Sequence, residues 1–369
     1  MRIFAGFWLL VASGALTLSW ACGGGGKGDS LPESTGAMVT TLAGLASPTG
    51  GSANGTGATA GFYLPTGIAV DGSGNIYVGD TFNNTIRKIT PTGAVSTIAG
   101  APGLMSGPNG FYGPCGVAVN QQGSEVYVAD SNDETIRQIV LSSVYGGAPD
   151  WFLSILAGTT QSPGNADGRG TAKFSLPDGV ALDGSGNLYV ADSGNCTIRK
   201  ISSDGTVSTW VGTARNVGSA DGLGGAASFN NPFGLAVDGA MNVYVADTFN
   251  HTIRKITPAG EVSTLAGLAG TIGSVDGMGA AARFNYPHAV AVDGSGNVYV
   301  ADSYNETIRK ITPQGLVSTI AGSAGLGGSA DGPGSDARFN DPQGLAVDGS
   351  GIVYVADSGN NTIRKITPP

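Results

Sequence analysis

Histidine occurs twice in this 369-residue chain, cysteine three times and tryptophan four times. So few imidazoles and thiols leave little to build a metal centre or a disulfide framework from, and no phosphate-binding glycine loop, Cys-x-x-Cys pair or Ser-His-Asp order is present. Basic residues are scarce as well. Eighteen Lys and Arg against 27 Asp and Glu give a net charge of −9, and no stretch joins clustered basic residues to stacking aromatics, which argues against a general nucleic-acid binder. Long apolar runs are missing except for residues 3–18 behind Arg2, too short and too closely followed by small residues to span a membrane.

What is abundant is glycine, 63 residues, together with a sentence repeated six times. It reads Gly-x-Ala-Val-Asp, Val-Tyr-Val-Ala-Asp, Thr-Ile-Arg-Lys-Ile, Val-Ser-Thr-Leu-Ala-Gly, and its second phrase ends at Asp80, Asp130, Asp192, Asp247, Asp302 and Asp357. A repeat of this length is one supersecondary unit, stacked or closed into a ring. Four short runs rich in Val, Ile, Thr and Tyr, parted by turn residues, predict four antiparallel strands per unit, in the fourth unit roughly 234–237, 242–246, 252–256 and 262–266. Their two faces are both apolar, so each sheet must be sandwiched between neighbours, as in a β-propeller.

The two ends of the chain fit a closed ring. The C-terminal end stops at the third phrase, Thr362 to Ile366, while residues 38–44 supply an unattached fourth phrase, Met-Val-Thr-Thr-Leu-Ala-Gly. The orphan strand is expected to complete the last sheet and leave no open edge between first and last blade. The expectation is an all-β, six-bladed propeller over residues 37–369.

The Val-Tyr-Val-Ala-Asp-Ser-x-Asn-x-x-Ile-Arg core at Val298 to Arg309 and Val353 to Arg364 resembles the NHL-repeat family of six-bladed propellers. The resemblance covers about nine tenths of the chain and implies the fold strongly. It implies function weakly, since the family holds binding scaffolds and a minority of metal-dependent lyases.

Residues 1–21 read as a secretory signal. Leu18-Ser-Trp-Ala-Cys22, followed by four glycines, resembles the bacterial lipoprotein signal in which Cys22 receives lipid, with Ser19 and Trp20 departing from the usual pattern. Residues 22–36 are then a Gly-rich tether. The expected location is secreted or lipid-anchored in the cell envelope, touching membrane only through that anchor.

In a four-stranded meander, the connection between strands two and three and the roughly twenty-residue connection to the next blade emerge on one face. Long loops on a rigid ring make that face the expected functional surface. There the residue between Pro and Gly (or Ala) at the start of each innermost strand points toward the central channel, and it is different in every blade: Thr66, Cys115, Asp178, Phe233, His288 and Gln343. These six form the candidate ligand site, joined by Phe249 and Tyr304; like Phe82 and Tyr286, these two occur in only some blades and suit a protein interface. The family's lyases place metal-binding histidines at the channel mouth, which His288 matches. A catalytic metal needs about three protein ligands, and only His288, Asp178 and either His251 or Cys115 offer themselves.

Other repeated features read as structural. The six Asp and the six Arg (Arg87, Arg137, Arg199, Arg254, Arg309, Arg364) are expected as ion pairs, and Asp-Gly-Ser-Gly-Asn as Asx-type hairpin turns lacking the Glu of a calcium loop. Asp167, Asp221, Asp276 and Asp331, each before Gly, read as turn formers or as cation ligands. Phe62, Phe111, Phe174, Phe229, Phe284 and Phe339 are expected to fold the long loop onto its blade. Cys115 and Cys196, on one face of adjacent blades, are a conceivable disulfide. The insertion at residues 141–150 is expected opposite the long loops.

The expected function is a non-catalytic, monomeric binding scaffold without cofactor, recognising a protein, peptide or glycan. The alternative is a metal-dependent lyase or hydrolase at the channel mouth. A purely structural spacer is the third reading.

Overall fold

The computed structural model of the chain describes residues 36–143 and 150–369. The segment expected as a signal, the expected tether up to residue 35, and Cys22 therefore lie outside the described residues. Six antiparallel sheets follow one another around a ring, joined by strands and short 3-10 turns, with no α-helix among the described residues. Blade 4 is typical: Pro232–Val237 innermost, then Val243–Asp247, Thr252–Ile256 and Glu261–Gly267. The phrase Val243-Tyr-Val-Ala-Asp247 is buried at all five positions. Alternation sends successive side chains to opposite neighbours, so Val243 and Val245 pack on Tyr189 and Ala191 of blade 3, while Tyr244 and Ala246 pack on Val298 and Val300 of blade 5. The core is thus a set of wedges between sheets.

The ring closes as the chain ends suggest. Met38–Ala43 lies antiparallel to Thr362–Thr367, with Val39 opposite Ile366 and Thr40 opposite Lys365, and Val39 and Ala43 are fully buried. Outer edges are mostly capped by the long loop itself. Gly55–Thr56, Gly222–Leu223, Gly277–Met278 and Gly332–Pro333 add a fifth short strand to blades 1, 4, 5 and 6, and Gly168 bridges Val207 in blade 3. Blade 2 departs from this. Its loop is shorter, and its third and fourth strands instead lengthen to Thr135–Ser142 and Asp150–Gly158. Ser142 pairs with Asp150 at one end and Thr135 with Gly158 at the other, beside the Ser131–Asp133 turn, so the described ends of the insertion, Leu141, Ser142 and Asp150, lie at the end of the blade away from that turn; residues 144–149 are outside the described residues.

An arginine lies at the centre of each blade. All six are buried, and each donates through Nη1 to the Asp ending strand two, at 2.7 to 3.3 Å. Each guanidinium stacks over the phenylalanine of the returning loop, 5.1 to 5.4 Å from its ring centre. The second nitrogen corrects the cation-ligand reading of the Asp-Gly tips. Asp167, Asp221, Asp276 and Asp331 each accept from Arg Nη2 of their own blade, at 2.5 to 2.7 Å, and also hold Thr209, Thr264, Thr319 and Thr41 on the outer strands. The cation they bind is the protein's own guanidinium. Asn54 takes this place in blade 1 and the carbonyls of Gly107 and Pro108 in blade 2. The hairpin turns are Asx-type: Asp71 accepts from the amides of Ser73 and Asn75 and from the Tyr77 hydroxyl.

Candidate functional site

Three contacts set the start of every innermost strand. The hydroxyl that follows the strand-two Asp donates to the proline carbonyl of the next blade: Thr81 to Pro114, Ser131 to Pro177, Ser193 to Pro232, Thr248 to Pro287, Ser303 to Pro342 and Ser358 to Pro65. The glycine after each variable residue lies against the variable residue's carbonyl oxygen in the next blade, so closely that a Cβ on Gly67, Gly116, Gly179, Gly234 or Gly344 would collide with the oxygen of Cys115, Asp178, Phe233, His288 or Thr66. Blade 5 has Ala289 there instead. The junction of blades 5 and 6 alone admits a methyl group.

The third contact is a bracket that the sequence did not reveal. Each strand-two to strand-three turn ends in a left-handed residue, Asn84, Glu134, Cys196, His251, Glu306 or Asn361. Its side chain accepts from the backbone N–H just before the next blade's proline. Asn84 holds Gly113, Glu134 holds Leu176, Cys196 holds Asn231, His251 holds Tyr286 through Nδ1 at 3.2 Å, Glu306 holds Asp341 and Asn361 holds Leu64. The held residues have φ between 47° and 70°, a strained conformation for the five that are not glycine, and it persists because the bracket over-determines it.

The bracket corrects two readings of the sequence. Cys196 is a buried hydrogen-bond acceptor and, like Cys115, a free thiol, so there is no disulfide between them. His251 spends its Nδ1 on Tyr286, and burial lowers its pKa. Among the described residues no group of three or more His, Cys, Asp or Glu is arranged to hold a metal ion.

Cys115, Asp178, Phe233, His288 and Gln343 line one central cavity of about 50 Å³, room for a water or two. Thr66 is buried beside it, its hydroxyl bonded to Thr81 and directed at the Cys115 carbonyl. Burial pushes the Asp178 carboxyl up to about 7, with Ser193 and Ser131 pulling it back and Glu134 and Asp192 adding to the rise. Burial likewise pushes the Cys115 thiol up to about 12, helped by Asp178, so it is no nucleophile at neutral pH. Across the cavity His288 is held neutral by burial, against the pull of Asp341, and its Nδ1 has no partner.

The rim residues meet the mouth on one side only. Phe233 stands edge-on to His288 at 5.1 Å, His288 faces Tyr304 at 6.3 Å, Tyr304 meets Tyr286 at 4.8 Å, and Tyr286 meets Phe249 at 5.6 Å. Phe249 and Tyr304 remain 49% and 58% exposed, so the row ends in open aromatic surface. Tyr286, read from the sequence as a blade-specific aromatic, links the two, and Asp341 is an addition to the set. Both occupy the bracketed position before the proline, which no side-chain regularity marks.

This architecture defines a closed six-bladed β-propeller whose variable side chains gather on its long-loop face. Sequence comparison sharpens the class: the Teneurin NHL domain matches residues 51–222, and the NHL repeat matches residues 284–311 and 339–366. The chain belongs to the NHL-repeat family. It is 30% identical over 344 residues to NHL repeat-containing protein 2 of Bos taurus, covering 82% of this chain and 46% of that protein, so it spans less than half of that relative's length. Among solved structures, an auxiliary nutrient binding protein from Bacteroides thetaiotaomicron superposes with a TM-score of 0.67 at 19% identity, over 90% of this chain and 76% of that one. Virginiamycin B lyase from Staphylococcus aureus superposes with a TM-score of 0.54 at 14% identity, over 90% and 99%. At such identities the two likenesses establish the fold alone.

Proposed function

We propose that this chain is a non-catalytic binding propeller that works outside the cytoplasm and recognises its ligand on the long-loop face. The observation that carries this reading is the contrast at the hub. Hydrogen bonds to the main chain hold the start of each innermost strand, while the side chain there differs in all six blades, and in blades 4 and 5 a row of rings runs outward from His288 to the exposed Tyr304 and Phe249. Variable side chains on a rigid frame are suited to recognition. The nutrient-binding neighbour is compatible with such a role, and the apolar segment at residues 3–18 with export.

Catalysis has less support. A metal-dependent lyase needs about three protein ligands and an open position. Of the two histidines one is already a backbone bracket, and the Cys115 thiol is protonated at neutral pH. The test joins two measurements on the full chain: metal content after purification, and binding to arrays of glycans and peptides with and without Tyr304→Ala. The expected result is no stoichiometric metal and an array ligand whose binding is lost with Tyr304. Stoichiometric zinc, calcium or copper removed by His288→Ala favours the lyase, and an array ligand insensitive to Tyr304→Ala moves recognition off this face.

A further inference from the structure

Tyr286 is the hinge of the aromatic row. Its ring takes Phe249, His251 and Tyr304 nearly at right angles, with interplanar angles of 84°, 88° and 76°. Rings set perpendicular to one another do not make a flat stacking surface. They leave ring faces of Phe249 and Tyr304 open to solvent, and the negative face of a π system attracts positive charge. The arrangement is held in advance of any ligand, because the Tyr286 backbone is bracketed by His251 and the Tyr304 amide is bonded to the Asn285 carbonyl.

Beside the rings stands one carboxylate. Asp341 occupies in blade 6 the same bracketed position that Tyr286 occupies in blade 5, and its amide is held by Glu306. Gln343 donates to Asp341 Oδ2 at 2.6 Å. Oδ1 takes no hydrogen bond among the described residues. Asp341 lies close enough to raise the pKa of the Tyr304 hydroxyl, after burial, and to act on His288. Among the described residues it forms no salt bridge, and Arg283, the basic side chain nearest Tyr286 in sequence, donates to the carbonyls of Ala280 and Ala282. The group sits at the junction of blades 5 and 6, where Ala289 replaces the glycine of the other hub contacts.

We propose that Phe249, Tyr286 and Tyr304, with Asp341, form a site for an alkylated ammonium group, carried by a small amine or on a peptide side chain. The inference rests on the binding reading given above and names its ligand class. Three adjoining aromatic rings and a carboxylate outside any salt bridge favour a diffuse cation over a neutral or anionic group of equal size. A strongly hydrated, compact ion gains less, because its water shell must be given up to reach the rings.

Choline and its neutral isostere 3,3-dimethylbutanol, titrated separately into the full chain and followed by calorimetry and the tyrosine signals in NMR, separate charge from shape. Choline is expected to bind saturably and the alcohol at least fivefold more weakly, the scale of an exposed cation–π contact. Tyr304→Leu should abolish the choline response, and Asp341→Asn should weaken it roughly fivefold. Phe82→Leu, on the exposed aromatic of blade 1, should leave it unchanged. Equal binding of choline and the alcohol overturns the proposal, as does the absence of any choline response. If choline fails while an array ligand still depends on Tyr304, the cation assignment falls and the binding reading stands. If neither depends on Tyr304, both fall.

Discussion

Replacing Asp178 by Asn tests whether the channel mouth stores an ionisation penalty. Asp178 sits in the ring cavity with no basic partner, and burial raises its carboxyl from 3.8 to about 7. A carboxyl whose folded pKa exceeds its unfolded value takes up a proton on folding. Its contribution is therefore fully present below about pH 4 and is lost as pH rises through 7, the opposite of an ordinary paired aspartate. A rise of about three units corresponds to at most about 4 kcal/mol. For a ring of this size that is a melting shift of roughly 6 °C, given an unfolding entropy of about 2 cal/mol/K per residue. Asn keeps the shape of the protonated form without the charge. Thermal unfolding of both proteins from pH 4 to pH 8 should give coincident melting temperatures at the acid end and a variant that is more stable above pH 7. Other buried carboxyls, Glu306 among them at about 7, titrate in both proteins and largely cancel in the difference. Parallel pH profiles would refute the reasoning, for then Asp178 is solvated or paired in the folded state.

Two further outcomes follow from the ring and its brackets. Deleting residues 37–44 removes the closing strand with its buried Val39 and its ladder to Thr362–Thr367, and should cost on the order of 5 kcal/mol in chemical denaturation or drive aggregation through the bared edge; unchanged unfolding means the ring is not sealed there. His251→Asn places in blade 4 the bracket that blades 1 and 6 already use, so it should unfold within about 1 kcal/mol of the parent, whereas His251→Ala leaves the strained Tyr286 amide unheld and should lose about 1–3 kcal/mol; equal loss in both variants means that the imidazole does something the amide cannot.

The fold was legible because its signals repeat. Strand limits in blade 4 fall within two residues of those read from the pattern, and the closing strand follows from counting phrases. The six Arg–Asp pairs were legible for the same reason, since each is a side-chain identity kept at a constant spacing. What escaped was constraint carried by the backbone. An amide proton before a proline asks only for an acceptor, and an amide oxygen, a carboxylate, a thiol and an imidazole all serve. The bracket therefore looks like random variation, and His251 and Cys196 looked like chemistry. The partners of the Asp-Gly tips were hidden differently: Asp221 reaches Arg254 across 33 positions, a contact made only when the loop returns, and blades 1 and 2 replace it with other acceptors. The aromatic row was half visible. Phe249 and Tyr304 stood out by their absence from other blades, but their link to His288 runs through Tyr286 and depends on the direction given by a left-handed residue.

The collar of glycines around the hub has a consequence for how such rings can change. Where neighbouring blades touch there, carbonyl meets α-carbon, so the diameter of the wheel is set by atoms that every residue type carries. A substitution at one of the six hub positions leaves the spokes in place and alters only what the axle presents. Binding preference can then drift blade by blade, each step testable by selection alone, on a frame that has no need to be rebuilt between steps.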